Sequence, residues 1–336
     1  MTFIEGVKMS ESKSTRITGI GSALVDLLIN ESDEFLKNIG KEKGGMTLVN
    51  SNKDIEDILS KTDNKLEIVS GGAACNTIVG VAKLGGDAKF IGMRGKDDYG
   101  KTYAEQLKNN NVKSDFFLSD TATGQVLSII TQDAQRSMIT FLGASAELSP
   151  EKITPEMFKD TKIAVIEGYL LFNQDLMMAC LKASKQAGSL IALDLASFEV
   201  VQASKDILDD IIEKYVDILI ANEDEAEAYT NFSDETKAIE KMSENVEYAV
   251  LKVGEKGSLI SQNGKIIKIE SIKGANAIDT TGAGDLWAAG FLFGLANGYS
   301  IEKSGKIASA CGFEVVQVIG AQIPDAGWER VKKQIS

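Results

Sequence analysis

The chain has 336 residues, of which 43% are apolar and 25% are charged, a balance typical of a globular protein with one large domain or two. Its formal net charge of −13 and the lack of any lysine and arginine cluster exclude nucleic acid and anionic membranes as expected partners. No apolar run approaches the roughly 20 residues of a membrane span, and the absence of histidine excludes His-dependent nucleophilic pairs and His-ligated metals.

The N-terminal segment 1–16 is mixed and polar and has no apolar stretch of a secretory signal, so we expect a loose tail before a domain that spans 17–336. Three cysteines, Cys75, Cys180 and Cys311, lie far apart in apolar or small-residue surroundings. Such cysteines are typical of buried free thiols in a reducing compartment. The sequence therefore predicts a cytoplasmic protein.

The first apolar segment, 17–29, predicts one strand with the carboxylate Asp26 near its end. An acid at that position is typical either of a turn cap or of a ligand contact. Further along, Gly71 and Gly72 precede a helix rich in small residues, which predicts close helix packing. Asn76 lies on the small-residue face of this helix, either as a ligand contact or as a satisfied core amide.

Two alternating segments, 126–131 and 137–141, are separated by a polar turn and predict a β-hairpin. Arg136 lies at that turn, where most arginines are solvated. From residue 163 onward, short apolar runs alternate with amphipathic helices, the last of which spans 301–316. This rhythm predicts parallel strands with helices on both faces of the sheet.

Ligands of such sheets bind at the carboxyl ends of the strands, where several polar residues fall: Asp26, Glu167, Asp194, Asn222, Glu225 and Lys252. Asn222 and Glu225 lie three residues apart at a helix start, so they suit a water-held Mg²⁺ or, equally, a pair that caps the helix. Lys252 precedes Gly254 and Gly257 in a strand-to-glycine turn, which is a weak signal by itself.

The segment 279–285 reads Asp-Thr-Thr-Gly-Ala-Gly-Asp and precedes an uncharged run rich in alanine and leucine, so it predicts a glycine loop that opens a buried helix. Glycines admit a ligand close to the backbone, and the first helical turn offers unpaired N–H groups and partial positive charge. The loop therefore predicts a phosphate site. Asp285 would be repelled by a phosphate, so it suits the role of a base that takes a proton from an attacking hydroxyl; the alternative is a helix cap.

In this order and spacing, the segment 279–285, the double-glycine segment 71–76 and the glycine-punctuated turn at 92–100 resemble the two signatures of the PfkB family of carbohydrate and nucleoside kinases. The resemblance covers about 17–324. A P-loop kinase is disfavoured because the chain has no GxxxxGK[ST] segment.

The resemblance implies an α/β fold, namely a three-layer αβα ribokinase-like domain with a mostly parallel central sheet. A small β-sheet lid would come from about 28–66 and 114–142 and would cover the acceptor. The family's activity implies ATP and Mg²⁺, with K⁺ as a further candidate cofactor. Phosphoryl transfer needs positioning and charge stabilisation more than covalent chemistry, which agrees with the residue types present.

The resemblance also implies site residues. Asp285 would be the general base, and the anion hole would be formed by Gly282, Ala283 and Gly284. The ATP side would be lined by Lys252, Gly254, Gly257, Ala308 and Cys311. Mg²⁺ would be organised through water by Asn222 and Glu225. A monovalent cation would lie beside Asp279, Thr281 and the backbone at 316–320. The acceptor would be bound by Asp26, Gly71, Gly72, Asn76, Arg136 and Tyr169.

For the acceptor, the run 136–144 resembles the adenosine-kinase branch and its bacterial relatives, which implies a nucleoside such as adenosine, with Arg136 reaching toward phosphate as the lid closes. Two departures bear on this choice. After the strand at 163–166 the chain reads Gly-Tyr-Leu-Leu, so either Tyr169 stacks on a base or the site prefers a smaller sugar such as ribose or fructose. At 194–197 the chain lacks the Asp-Pro-Asn of many sugar kinases.

Two other classes of protein are disfavoured by the sequence. A binding module without turnover would have lost the base, whereas Asp285 is present. A dinucleotide-dependent oxidoreductase would show GxGxxG after the first strand, which this chain lacks. We therefore expect a kinase of a small-molecule nucleoside or sugar, with no nucleic-acid or membrane partner, as a monomer or homodimer.

Overall fold

The computed structural model describes residues 14–133 and 135–335, so the expected loose tail lies almost entirely outside the described residues. Within that part of the chain, nine strands form a large sheet, in the order β14 (Lys265–Ile269), β13 (Ser258–Gln262), β12 (Tyr248–Lys252), β11 (Ile218–Asn222), β10 (Leu190–Asp194), β9 (Thr161–Glu167), β1 (Arg16–Ile20), β5 (Ala88–Gly95) and β6 (Lys113–Ser119). The pairs from β12 to β6 are parallel, and the hairpin β13–β14 is added antiparallel to β12.

A second, smaller sheet has the order β3 (Met46–Leu48), β8 (Arg136–Phe141), β7 (Gly124–Ile130), β2 (Leu24–Asn30) and β4 (Glu67–Gly71). Two short helices lie between its strands in the chain, α1 (Asp33–Asn38) and α2 (Asn52–Leu59). The strands β7 and β8 pair antiparallel, so the predicted hairpin is confirmed.

Helices cover both faces of the large sheet, as the βα rhythm predicts. One layer holds α3 (Ala73–Lys83), α4 (Asp98–Asn109), α10 (Ala283–Ala296), α11 (Ile301–Val315) and α12 (Asp325–Lys332). The other holds α5 (Gln174–Gln186), α6 (Phe198–Ala203), α7 (Lys205–Tyr215), α8 (Glu223–Thr230) and α9 (Glu235–Met242). Successive strand residues face opposite layers: in β9, Ile163 and Val165 join the first core, whereas Ala164 and Ile166 join the second. The three-layer fold is therefore confirmed.

The helix α10 packs unusually close to its neighbours, because small residues lie where it crosses them. A side chain at Gly80 of α3 would place its Cβ 2.6 Å from the Cβ of Ala289. At Gly290, an added Cβ would lie 2.7 Å from the Cα of Ala308 on α11. The close helix packing predicted from the small residues is present, and it fixes the N-terminal end of α10 against the sheet.

The segment 17–29 is two strands rather than one. The chain leaves the large sheet after β1 and enters the small sheet as β2. Between them, a Cβ on Gly21 would lie 2.3 Å from Oε2 of Glu167, so only glycine passes this point. Because both strands are buried, their apolar residues form one continuous run in the sequence. The sequence therefore does not reveal where the chain passes from the large sheet to the small one.

Two further boundaries differ from expectation. The small sheet takes its strands from 24–71 and 124–141, wider at the first segment than the expected 28–66. The second expected segment, 114–142, begins too early, because 113–119 is β6 and pairs with β5 in the large sheet. The helix at 301–316 is not the last one, since α12 follows it. Among the residues that the structure describes, no helix has the length and apolar character to cross a membrane.

Candidate active site

The loop before α10 has the geometry of an anion-binding site. Gly282 adopts a left-handed conformation with φ of 72°, which glycine tolerates without strain. Among the described residues, no side chain caps the first turn of α10. Other helices here have such a cap, for example Ser300 on α11. The Ala283 N–H donates to the Thr280 carbonyl at 3.1 Å, which leaves the N–H groups of Gly282 and Gly284 for an anion. The helix dipole favours negative charge there.

A lysine lies directly over this turn. The Nζ atom of Lys252 is 3.0 Å from the position that a Cβ on Gly284 would occupy, so a side chain at 284 would compete with the ammonium group. Lys252 donates a hydrogen bond to Oδ2 of Asp194 at 3.1 Å. Burial lowers the pKa of Lys252, but the charges of Asp194 and Glu225 outweigh this effect and raise it above its usual range. The ammonium group is therefore charged at neutral pH.

Asp285 points into the same space from the first turn of α10. Asn76 on α3 donates a hydrogen bond from Nδ2 to its Oδ2 at 2.9 Å, and the Thr77 hydroxyl donates to its backbone carbonyl at 3.2 Å. The pKa of Asp285 is raised to about 7, chiefly by burial. The charge of Asp194 contributes to the rise, while the Asn76 hydrogen bond and the charge of Lys252 oppose it. A carboxylate with this pKa, held by one amide, has the properties of a general base near neutral pH.

Asn222 and Glu225 form a capping box at the start of α8. The Asn222 side chain accepts from the Glu225 backbone N–H at 2.9 Å, and Oε2 of Glu225 accepts from the Asn222 backbone N–H at 2.8 Å. The capping alternative is therefore realised. It leaves a metal role open, because each carboxylate oxygen keeps further lone pairs. Burial, followed by the charge of Asp194, raises the pKa of Glu225 to about 7, and the charge of Lys252 opposes the rise only in part.

The side chains around Asn222 and Glu225 are compatible with an Mg²⁺ ion that is held through water. Within residues 14–133 and 135–335, no cluster of three or more Cys, Asp or Glu side chains could enclose a metal ion. One buried carboxylate, one amide and the neighbouring Asp194 remain, all of them oxygen donors. This donor set fits Mg²⁺ that keeps most of its water and is shared with phosphate oxygens.

A cavity of about 870 Å³ joins these groups and is large enough for a nucleotide. The predicted site residues that line it are Tyr169, Asn222, Glu225, Lys252, Gly254, Gly257, Gly282, Ala283, Gly284 and Asp285. Residues from the ends of four parallel strands, β9 to β12, and from the starts of three helices, α3, α8 and α10, line this cavity, as the rule for parallel sheets requires.

Ala308 and Cys311 are placed elsewhere. Both are fully buried, Ala308 against Gly290 and Cys311 in the core beneath α12. The face of α11 that lines the cavity carries Ser309, Gly312 and Phe313 instead. The prediction chose the right helix but the wrong face, because small residues occupy both faces of this segment.

Apart from Tyr169, the expected acceptor residues do not line this cavity. Asp26 on β2 packs on Gly71, where an added Cβ would lie 2.4 Å from its Oδ2. Burial raises the pKa of Asp26 to about 6, with Arg136 opposing and Asp279 adding to the effect. Gly72 precedes α3 with φ of 95°. Neither Asp26, Gly71 nor Gly72 lines the cavity of about 870 Å³. The Asn76 amide donates its hydrogen bond to Asp285 and not to a sugar hydroxyl.

Arg136 is not a solvated turn residue. Its side chain is 11% exposed, and Nη1 donates to the Thr281 hydroxyl at 2.7 Å. Asp279 accepts from the backbone N–H and the hydroxyl of Thr281 at 2.9 and 2.7 Å. The small sheet and the anion loop are thus joined by a short chain of hydrogen bonds.

Two site residues had no assigned role in the sequence-based interpretation. Glu167 is buried at the end of β9 and accepts from the Ala74 N–H at the start of α3 at 3.1 Å. Asp194, at the end of β10, holds Lys252. Both were visible as polar residues at strand ends, the same signal that located Asn222 and Lys252.

The comparisons with known proteins agree with this geometry. The family model described as pfkB family carbohydrate kinase matches residues 45–326. The nucleoside kinase of Methanocaldococcus jannaschii is 32% identical over 268 residues, which are 79% of this chain and 85% of that protein.

Two solved structures have the same fold. The adenosine kinase of Sinorhizobium meliloti superposes with a TM-score of 0.85 at 29% identity and covers 95% of this chain and 99% of its own. The probable sugar kinase of Rhizobium etli CFN 42 also gives a TM-score of 0.85 at 29% identity, with 94% and 97% covered. The chain is an ATP-dependent phosphotransferase and belongs to the pfkB family of carbohydrate kinases.

Proposed function

We propose that this enzyme transfers the γ-phosphoryl group of ATP to the primary hydroxyl of a ribose-containing nucleoside, with adenosine as the first candidate. The observation that carries the proposal is the position of Asp285. Its carboxylate, with a pKa of about 7, lies on the same helical turn as the N–H groups of Gly282 and Gly284, which no side chain caps. A base and an anion site one turn apart support transfer of a phosphoryl group to a hydroxyl.

In the proposed reaction, the hydroxyl oxygen of the acceptor forms a bond to the γ-phosphorus of ATP. Asp285 accepts the proton that this hydroxyl loses. The bond from that phosphorus to the β–γ bridging oxygen breaks, and ADP leaves with the electron pair. The N–H groups of Gly282 and Gly284 and the Lys252 ammonium stabilise charge on the transferred group. Bound Mg²⁺ would supply charge neutralisation for the phosphates, and Asn222 and Glu225 are the residues that would hold its water.

A nucleoside is favoured by Tyr169. This side chain is 42% exposed, follows β9 on a short 3₁₀ turn and lines the cavity with Asp285. An exposed aromatic ring on the wall of a cavity suits stacking on a nucleobase. The similarity to a nucleoside kinase and to an adenosine kinase points the same way.

A free sugar such as ribose or fructose is the second candidate. Asp26 sits tightly on Gly71, a compact carboxylate site that vicinal hydroxyls of either acceptor would satisfy. The similarity to a probable sugar kinase and to a ribokinase of Arabidopsis thaliana supports this alternative.

The test is kcat/KM with Mg·ATP for adenosine, other nucleosides, ribose and fructose. A preference of tenfold or more for a free sugar, about 1.4 kcal/mol in the transition state, would refute the nucleoside proposal. Tyr169→Ala should weaken adenosine by about 1–3 kcal/mol and spare free sugars. Tyr169→Phe is the matched control, since it keeps the ring and should keep adenosine activity.

A further inference from the structure

The loop at 279–281 is closed by its own hydrogen bonds. Oδ1 of Asp279 accepts from the Thr281 backbone N–H at 2.9 Å and from the Thr281 hydroxyl at 2.7 Å. Oδ2 of Asp279 accepts from the Gly320 backbone N–H at 2.7 Å. The carbonyl oxygen of Val316 accepts from the backbone N–H groups of Ile278 and Asp279 at 2.8 and 3.3 Å.

Of the groups that would hold a monovalent cation beside the anion hole, the Asp279 carboxylate and the Val316 carbonyl are already occupied by these hydrogen bonds. A dehydrated K⁺ ion needs a ring of oxygens that face it in place of its water. Here the Asp279 and Val316 oxygens face N–H and O–H donors, and the Gly320 N–H directs its positive end at the same carboxylate. A cation at this point would have to break bonds that already satisfy the loop.

A positive charge is nevertheless present, and it comes from the small sheet. Arg136, the first residue of β8, donates from Nη1 to the Thr281 hydroxyl at 2.7 Å, and its Nη2 lies 4.0 Å from Oδ2 of Asp279. Thr281 accepts from the arginine and donates to Asp279, so the three side chains form one polarised chain. Nε and Nη2 of Arg136 are buried and have no hydrogen-bond partner among the described residues. A guanidinium group keeps its charge under all physiological conditions.

We propose that the Arg136 guanidinium takes the place of a monovalent cation beside the anion hole, so that phosphoryl transfer in this enzyme needs no K⁺. The inference rests on the proposed kinase reaction and identifies Arg136 as the source of positive charge beside its anion hole. Arg136 acts through Thr281 and Asp279, so it is a positioning residue. Because it belongs to the small sheet, the hole is complete only when that sheet is seated against the loop.

The charges that face Arg136 are consistent with this role. Asp279 and Asp26 are the carboxylates that interact with it, one from the loop and one from β2. Asp26 is assigned to the acceptor, so the guanidinium stands between the acceptor and the phosphate loop. It thereby links occupation of one site to the shape of the other.

The first test uses the unmodified protein. Initial rates of ADP formation are measured at constant ionic strength in choline, sodium and potassium chloride, with whichever acceptor is phosphorylated. We expect rates within about twofold of one another. Melting temperature is measured in the same salts without substrates, and we expect no stabilisation by K⁺ over choline. Activation by K⁺ of tenfold or more, or a K⁺-specific rise in melting temperature, overturns the proposal.

Variants sharpen the test. Arg136→Gln should lower kcat by at least tenfold, as expected when charge beside an anion hole is lost. K⁺ should not restore the lost activity, because the hydrogen bonds that occupy Asp279 and Val316 persist in this variant. Arg330→Gln is the matched control, because Arg330 pairs with Glu314 on the far side of α11 and should leave kcat unchanged. If Arg136→Gln does not fold, Arg136→Lys retains the charge and should remain indifferent to K⁺. Because melting is measured without an acceptor, it decides on cation binding even if no nucleoside or sugar is phosphorylated.

Discussion

Replacing Asp285 by Asn tests the centre of the proposed chemistry. The substitution preserves size, and an amide oxygen still accepts the Asn76 hydrogen bond that is 2.9 Å long in the structure. What it removes is the ability to accept a proton. We expect kcat to fall by about 10²- to 10⁴-fold, the usual effect of losing a general base, while ATP binding measured by calorimetry is retained.

The pKa of Asp285 adds a pH dependence to this prediction. Burial is the main reason that it lies at about 7 instead of near 3.8. Because only the ionised carboxylate accepts a proton, kcat/KM should be nearly constant above this pKa and should fall about tenfold for each pH unit below it. With ATP as the varied substrate, the profile of kcat/KM reports the titrating groups of the enzyme before ATP binds and those of unbound ATP.

Glu225 needs a control, because its pKa is also raised to about 7. In the Glu225→Gln variant, the acid limb of kcat/KM should remain near pH 7 if Asp285 causes it. Loss of the limb in that variant would assign it to Glu225. Near-wild-type kcat in Asp285→Asn would remove Asp285 from the role of base altogether.

The remaining predictions concern residues around the base. Glu225→Gln should raise the Mg²⁺ concentration needed at fixed ATP, and EDTA should abolish activity reversibly; an unchanged Mg²⁺ titration would leave this residue as a helix cap only. Asp26→Ala should weaken acceptor binding by roughly 1.5–3 kcal/mol, which is seen as a higher acceptor KM, and should leave the ATP KM nearly unaltered. Equal changes in both KM values would argue against an acceptor contact. Asn76→Ala should move the acid limb of kcat/KM to higher pH by about one pH unit, because the hydrogen bond to Asp285 favours the ionised form; a limb that stays at pH 7 would contradict that reasoning.

The sequence predicted the fold class and most of the cavity wall for a common physical reason. Short apolar runs between amphipathic helices require parallel strands, and the carboxyl ends of parallel strands meet at one edge. Polar residues at those ends, such as Asn222 and Lys252, therefore had to be neighbours. The glycine loop at 279–285 had to begin a helix, since its apolar continuation could only be buried.

Partners of individual side chains could not be predicted in this way. Asn76 and Asp285 are separated by 209 residues, and their contact depends on how α3 crosses α10. Arg136 and Thr281 are separated by 145 residues, and their contact depends on how the small sheet is seated. Helix faces were ambiguous where small residues occur all round, which is why Ala308 was chosen in place of Ser309.

The charges around the cavity also lead us to expect that the nucleotide binds together with a divalent cation. Asp194, Glu225 and Asp285 lie near one another, and Lys252 is the cation that interacts with all three. The raised pKa values of Glu225 and Asp285 reflect this shortage of positive charge as well as burial. Free ATP would add negative charge to a site that already carries an excess, and repulsion in a poorly solvated cavity is strong. ATP with Mg²⁺ brings compensating charge to the carboxylates, and it favours the ionised form of Asp285 that the reaction needs. We therefore expect the acidic surroundings that raise the pKa of Asp285 to favour binding of the metal-bound nucleotide over free ATP.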